Sequence, residues 1–330
     1  MYTMKACAIF VDPNDVSQTG KYTSFLVNSL ESIGVKVVKL VKDTDVNGDS
    51  WFVADLVVVA SRIPTATEVA TIQSRKKSLV YLIASDPVVA DVERFSYATN
   101  IPVNRIDFIR SCDSIWLTNN FTNHLSYVET MYKRPVKVVP NLWDDSFSTP
   151  PMTYTPKANA PLDIVILDSN TSFNTSCWKQ LVICEQLYLQ NPNTIHQVFL
   201  FNTPESNPTS MGMIRSLTLK KDGKIRIFKA LPVGDIVNFF LKSDKNTVFL
   251  GNQVFDDMPY NYYDILNAGF PFVHSSSMLK SVNVGLYYDT LDIQAAVNQL
   301  QAKAYNVEAN LVANRTFLRS LRLADTSAFD

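Results

Sequence analysis

The chain has 330 residues, 30 Lys+Arg against 31 Asp+Glu for a net charge of −1, and 46% hydrophobic residues. At roughly 100–200 residues per domain this length implies two domains, each able to bury a core without disulfides, and the composition is far from that of a disordered chain. Glycine is scarce, 9 of 330, and no G-x-G occurs, which excludes dinucleotide fingerprints and Walker-type phosphate loops.

Cys7, Cys112, Cys177 and Cys184 form no C-x-x-C, and His124, His196 and His274 are too few and scattered for a zinc cluster. Lone buried thiols in a reducing compartment are expected. The apolar stretch at the start, Ala6–Val11, is shorter than a signal h-region of about 7–15 residues, and no run approaches the ~18 apolar residues of a membrane span. A soluble, cytoplasmic protein without a membrane span is the expectation.

In chain order, Lys5–Val11 (KACAIFV) reads as a buried strand, and Thr19–Ile33 has the apolar rhythm of a helix face, stopped by Gly34. Strands follow at Val35–Val41, Asp55–Ala60, Ser78–Ala84, Asp113–Thr118 and Pro135–Val139, with helical stretches between most of them. Ser146–Pro161 holds four of the sixteen prolines and reads as a linker. The alternation then restarts: strand Leu162–Leu167, helix Asn174–Gln190, strands His196–Phe201 and Lys224–Phe228, helix Gly234–Leu241, strand Thr247–Leu250. A helix near Tyr262–Ala268, a short strand Phe270–His274 and helices within Leu291–Tyr305 and Ala309–Leu323 complete it.

Continuous Val/Ile/Leu runs alternating with helices mean an α/β protein whose parallel sheets are covered on both faces. The expected division is 1–148, a linker at 149–161, a second sheet domain at 162–305, and a terminal helix at 306–330 packing back on the first domain. Such sheets bind ligands at the carboxyl ends of their strands, so a ligand is expected in a cleft between the two domains.

The most informative stretch is Asp256–Ser277, where Asp256 and Asp264 are followed by Ala268-Gly269-Phe270-Pro271-Phe272-Val273 and the polar loop His274–Ser277. It resembles the nucleotide-sugar site of two-domain GT-B glycosyltransferases, where E-x7-E precedes A-x-G-x-P-x-V, with Asp in place of Glu at both positions here. The resemblance implies two Rossmann-like domains and assigns Asp264 to the ribose hydroxyls of the donor and Asp256 to the sugar side. A carboxylate suits a ribose because it accepts two charge-assisted hydroxyl hydrogen bonds.

A closer similarity, to a poorly characterised group of bacterial and phage glycosyltransferase-like proteins, runs through Pro140-Asn141-Leu142-Trp143-Asp144, Leu167-Asp168-Ser169-Asn170, Asn261-Tyr262-Tyr263-Asp264, Val273-His274-Ser275-Ser276 and Gly285-Leu286-Tyr287-Tyr288. That group carries a Lys about where Thr175 stands, and the nearest cation here is Lys179. Amides at a helix N-terminus, with Asn170, Ser172 and Thr175, offer the donor diphosphate an alternative grip. Lys179, Arg226 and Lys229 are the candidate cations, each more readily read as a solvated surface residue. Asn261, Tyr262, His274, Ser275 and Ser276 are further donor-side candidates. Against these stand ordinary roles: core packing for the tyrosines, capping for His274, loop solvation for Asp256. His124 and His196 read as structural.

At the amino end, Asp12–Lys21 joins the first strand to the first helix, making Asp15, Gln18, Thr19 and Lys21 acceptor-side candidates. Trp143 is another, or a packing residue beside the linker. Should the reaction invert configuration, Asp86 or Asp15 is where a base is expected. A retaining reaction without a protein base fits the resemblance better. No metal-site D-x-D stands out, so metal-independent chemistry is expected, with no cofactor beyond the nucleotide-diphosphate sugar as co-substrate. The resemblance extends to phage enzymes that glycosylate hydroxymethylated cytosine. It therefore allows double-stranded DNA as acceptor and the host cytoplasm as location, beside glycans, lipids or proteins as acceptors. A non-catalytic sugar- or nucleotide-binding protein and a nucleotide-sugar epimerase are the competing readings.

Overall fold

The structure, a computed structural model, describes residues 4–15, 17–42, 45–88, 91–92, 104–144, 153–157, 160–168, 176–201, 203, 208–229, 231–252, 258–302, 307–324 and 326–329. The chain divides into two compact units, Met1–Asp144 with Ser320–Asp330, and Asp145–Arg319.

In the first unit β1 (Ala6–Phe10), β2 (Lys36–Leu40), β3 (Leu56–Val59), β4 (Ser78–Ile83), β5 (Ser114–Thr118) and β6 (Val136–Val139) form a six-stranded sheet in the order β2-β1-β3-β4-β5-β6, every pair parallel. β1 is buried at every residue, as its uninterrupted apolar run demands, whereas Lys36 and Lys39 keep the outer strand β2 partly in solvent and blunt the sheet edge. The Gln18–Ser32 helix is capped by Ser17, whose hydroxyl accepts the Gly20 N–H. It buries Tyr22, Phe25, Leu26 and Leu30, and the chain leaves it at Gly34 with φ +85°.

The second unit holds β7 (Leu162–Ile166), β8 (Ile195–Leu200), β9 (Ile225–Ile227), β10 (Asn246–Leu250), β11 (Phe272–His274) and β12 (Leu286–Tyr287). They pair in parallel in the order β12-β11-β10-β7-β8-β9. Strand order reverses between β1 and β3 in one sheet and between β7 and β10 in the other. At such a point the following connections leave in opposite directions and open a crevice at the carboxyl ends.

Two boundaries differ from expectation. Part of the proline-rich stretch is built into the second unit rather than running free. Tyr154 is 5% exposed, its ring lies 4.7 Å from that of Phe270, and its N–H donates to Ala268 O at 2.9 Å. Asn246 also ties Lys157 and Ala160 to the start of β10. A single aromatic anchors a segment whose prolines had marked it as a linker. The terminal helix, Val307–Ser320, belongs as far as Arg319 to the second unit, where Asn314 donates to Leu266 O at 3.2 Å. Only the tail beyond it joins the first unit, with the Phe329 ring 4.8 Å from that of Trp116.

All four cysteines are buried and none is disulfide-bonded. Among the described residues no helix is long and apolar enough to cross a membrane.

Candidate functional site

At the switch point of the second sheet, polar side chains collect where apolar ones would ordinarily cover the strand ends. Asp168, two residues beyond β7, is 7% exposed and accepts both the Gln180 side-chain amide and, at 3.2 Å, the Asn252 N–H. Gln180 comes from the first turn of the Trp178–Gln190 helix, and Asn252 follows β10. The Tyr288 hydroxyl lies 3.1 Å from Gly251 O and 3.2 Å from Asn252 Oδ1, acceptors on the same segment. Burial first, then the charge of Asp168, pushes the Tyr288 phenol well above its ordinary range, so it stays a donor. This network links the ends of β7 and β10 and the segment after β12. Gln180 and Asn252 carry no motif of their own, Tyr288 closes the Gly285–Tyr288 block, and only the fold brings the three together.

His274, expected on the donor side, has a different task. It is fully buried; its Nε2 lies 2.7 Å from Val284 O and its Nδ1 accepts the Ser276 N–H at 3.1 Å, which fixes a neutral ring with the proton on Nε2. Desolvation lowers its pKa from 6.5 to about 4. Both nitrogens are used inside the fold, so His274 orients the Ser275–Ser276 loop and cannot itself reach a ligand. Ser275 and Ser276 are 7% and 1% exposed, and the Ser276 hydroxyl caps Leu279 N–H.

The Tyr260–Ala268 helix buries Tyr260, Tyr262, Tyr263, Ile265, Leu266 and Ala268 and ends at Gly269 with φ +75°. Asn261, Asp264 and Asn267, one turn apart, form its half-buried outer face. Asp264 thus sits on the partly open side with Asn261. Tyr262 does not: it is 3% exposed and packs edge-on against Phe272 at 4.5 Å. Its hydroxyl comes so close to Gly251 that a Cβ there would stand 2.5 Å away. It is a core aromatic, and Gly251 is glycine to let it through.

Asp256, Asn170, Ser172 and Thr175 lie outside the described residues. Lys179 is half-buried beside Gln180, and desolvation lowers the pKa of its ammonium. Arg226 is exposed in mid β9, at the sheet's far edge, with Nε donating to Gln197 Oε1 at 3.2 Å. A side chain leaving the middle of an edge strand does not reach the carboxyl-end switch point, which removes Arg226 from the diphosphate candidates.

In the first unit, a cavity of about 220 Å³ opens at the carboxyl ends of β1, β3 and β4, lined among others by Asp15, Thr19, Ser61, Ser85, Asp91 and Tyr132. Asp86, between the lining residues Ser85 and Pro87, is 7% exposed, and its Oδ2 is 3.9 Å from His124 Nε2. Gln18 and Lys21 are half-buried in the same helical turn as Thr19 but do not line the cavity. Trp143 is 4% exposed, and its N–H donates to Leu321 O at 3.4 Å. It is a packing residue beneath the returning tail, not an acceptor contact.

A second cavity, of about 730 Å³, lies at the opposite, amino-terminal edge of the second sheet. There buried Asp163 meets His196 Nδ1 at 2.7 Å, away from the switch point.

The architecture is that of GT-B glycosyltransferases. An alpha-glucosyltransferase in complex with UDP and a 13-mer DNA containing an HMU base matches with a TM-score of 0.61 at 10% identity, over 99% of this chain and 97% of that one. Anabaena HepE in complex with UDP-glucose matches with a TM-score of 0.55 at 11% identity, over 99% and 96%. The pneumococcal O-GlcNAc transferase GtfA, in complex with UDP and GlcNAc, gives 0.51 at 10% identity over 81% of this chain and 53% of that one. No curated protein matches the chain by sequence. Over residues 23–324 it matches the model of the family described as "Protein of unknown function (DUF2827)", and it belongs to that family.

Proposed function

We propose that this protein is a glycosyltransferase that moves a sugar from a nucleoside-diphosphate donor, of the UDP type, to an acceptor hydroxyl. The observation that carries the reading is the buried polar network of Asp168, Gln180, Asn252 and Tyr288 at the β7/β10 switch point, within a GT-B fold. Open α/β sheets bind their ligands at such crevices. The fold's likeness to proteins with UDP and UDP-glucose bound supports the donor class.

In this reading Asp264, with Asn261, holds the ribose hydroxyls, and Asp256 faces the sugar. Asn170, Thr175 and Lys179, with the amides opening the Trp178–Gln190 helix, hold the diphosphate. Ser275 and Ser276 border it from a loop fixed by His274. In the reaction the bond from the anomeric carbon to the β-phosphate oxygen breaks, and its electron pair leaves with the nucleoside diphosphate. A bond forms from the anomeric carbon to the acceptor oxygen. The acceptor proton passes to the leaving phosphate oxygen in a retaining reaction, the course proposed here, or to Asp86 or Asp15 in an inverting one. Helix-end amides and Lys179 stabilise the charge on the leaving group without a metal. For the acceptor, the likeness to an alpha-glucosyltransferase bound to DNA makes a hydroxyl on modified DNA one class to test, beside glycans, lipids and proteins.

The test is a thermal-shift screen of UDP-sugars, followed by assay of UDP release. A ligand at 100 times its Kd adds about 2.7 kcal/mol to stability. The reading expects one UDP-sugar to raise the Tm, with slow UDP release in the absence of acceptor. A donor that binds and is never cleaved, with or without acceptors, makes the protein a binder. Recovery of an isomerised UDP-sugar makes it an epimerase.

A further inference from the structure

We infer that the outer edge of the second sheet, where β9 meets the Val233–Leu241 helix, docks on an anionic bilayer surface, with Phe228 and Phe239 entering the interface among arginine and lysine side chains. The inference goes beyond the function proposed above and does not depend on it. The first observation is an aromatic core that runs out to the surface. The Phe228 ring stacks on Phe199 and Phe201, at 6.0 and 5.1 Å between centroids. Phe199 meets Phe240 edge-on at 4.9 Å, and Phe240 meets Phe239 in the same way at 5.0 Å. The inner rings are buried, but Phe228 and Phe239, the two ends of the row, are 37% and 62% exposed. On the helix, Asp235, Asn238, Phe239 and Lys242 form one outward stripe at i, i+3, i+4 and i+7, the face that a surface helix gives to polar residues. Phe239 is the apolar exception on it.

The second observation is the charge around these rings. Residues 218–246 carry seven Lys and Arg against three Asp, an excess of four in a chain whose net charge is −1. The rest of the chain is therefore five negative, so an anionic surface attracts this edge and repels the remainder, which sets the orientation. Arg226 pairs in register with Phe199 and lies two residues before Phe228, so it shares their face of the sheet. Lys229, next to Phe228, and Lys242, on the stripe with Phe239, are both exposed. Of the three acids, Asp244 is held by Lys245 at 2.8 Å and Asp222 accepts the Tyr188 phenol at 2.8 Å, while Asp235 stands on the aromatic stripe.

Exposed rings with cations around them select the occupant. A bilayer interface rewards both features at once, ring burial and headgroup attraction, and stable membrane binding takes two such signals. A second copy of this chain would set one excess of cations against another in a two-fold contact. Single-stranded nucleic acid stacks its bases on free ring faces, and Phe228 already spends a face on Phe199 and Phe201.

The experiment is flotation of the full chain with vesicles of phosphatidylcholine alone and of phosphatidylcholine mixed with phosphatidylglycerol, at low and high salt. Phe239→Ser removes the ring at unchanged charge from a position where no fold is at stake, and Arg226→Glu with Lys242→Glu reverses two cations. Lys5→Glu with Lys36→Glu makes the same charge change on exposed residues of the first unit. The expected result is binding to the mixed vesicles only, weaker at high salt. Phe239→Ser should weaken it at least about tenfold, through the lost burial of a large apolar side chain. A cation near an anionic surface is worth about fivefold, so the Arg226/Lys242 pair should cost at least about 25-fold, and the Lys5/Lys36 pair far less. No binding to the mixed vesicles overturns the inference. So does binding that Phe239→Ser leaves intact, which is diffuse attraction, or binding that the Lys5/Lys36 pair weakens as much as the Arg226/Lys242 pair. Oligothymidylate or an acidic peptide, titrated in parallel, overturns it by binding through Phe239 while vesicles do not. The UDP-sugar thermal shift is measured on the same protein. Vesicle binding without any donor shift defeats the transferase reading and leaves the docking edge standing; a donor shift without vesicle binding does the reverse.

Discussion

His274 gives the structure a measurable acid weakness. Its ring is fully buried and neutral, with a pKa of about 4 against an ordinary 6.5. Above pH 6.5 the ring is neutral in both folded and unfolded chains and contributes no pH dependence. Between pH 6.5 and about 4 the unfolded chain takes up a proton that the folded chain refuses, so stability falls as pH falls. Below about 4 both states bind it, and the loss levels off at about 3 kcal/mol. His274→Gln does not titrate; its amide can still donate to Val284 O, but it no longer accepts the Ser276 N–H, which costs about 1 kcal/mol at neutral pH. Urea unfolding of both proteins at a series of pH values reads the difference. A chain of two units need not unfold in one step, so the transition that the substitution shifts is the one followed. The advantage of the wild type over His274→Gln should shrink by about 3 kcal/mol between pH 6.5 and 4 and change sign on the way. Parallel profiles would refute the assignment of a neutral, doubly bonded ring.

Four further outcomes follow from particular positions. Gly285→Ala puts a Cβ 2.7 Å from His274 Cδ2 at a φ of +71° and should cost at least about 1–2 kcal/mol in urea unfolding; Gly212→Ala, in a helix with nothing within 4 Å, should stabilise by up to about 1 kcal/mol. Asp168→Ala strips the acceptor from the Gln180 amide and the Asn252 N–H, at about 1–3 kcal/mol for each donor left buried, and should lower donor affinity by loosening the loops that follow β7 and β10. Asp91→Asn removes a charge next to Tyr127, whose phenol should titrate below its present value of about 12 in an alkaline ultraviolet absorbance titration; burial keeps it above the ordinary 10.

Most of the strands are legible because each is an apolar run too long and too uniform to be a turn and too short to be a helix. Ser78–Ala84 against the observed Ser78–Ile83 and Thr247–Leu250 against Asn246–Leu250 are typical. The two-residue strand β12 was not legible, since Leu286–Tyr287 has no period and pairs only because β11 offers an edge. Sequence places Asp264 on a helix and, at 100° per residue, turns Tyr262 away from it, but which of the two faces the core is set by the packing. His274 looked like a ligand group because it precedes three serines. Its use as an internal brace depends on Val284, ten residues on, which no local pattern announces. Arg226 looked like a usable cation until the strand order put β9 at the far edge. Tyr154 is not legible as an anchor because the surrounding prolines dominate the composition.

The central claim is that Asp264, on the outer face of its helix, holds the ribose of a UDP-sugar at the β7/β10 switch point. A crystal structure of the protein with UDP-glucose answers it most directly. The account predicts the nucleotide at the carboxyl ends of β7 and β10, with the Asp264 carboxylate within hydrogen-bonding distance of both ribose hydroxyls. A nucleotide bound elsewhere, or at that crevice with Asp264 making no contact to the ribose, would contradict it.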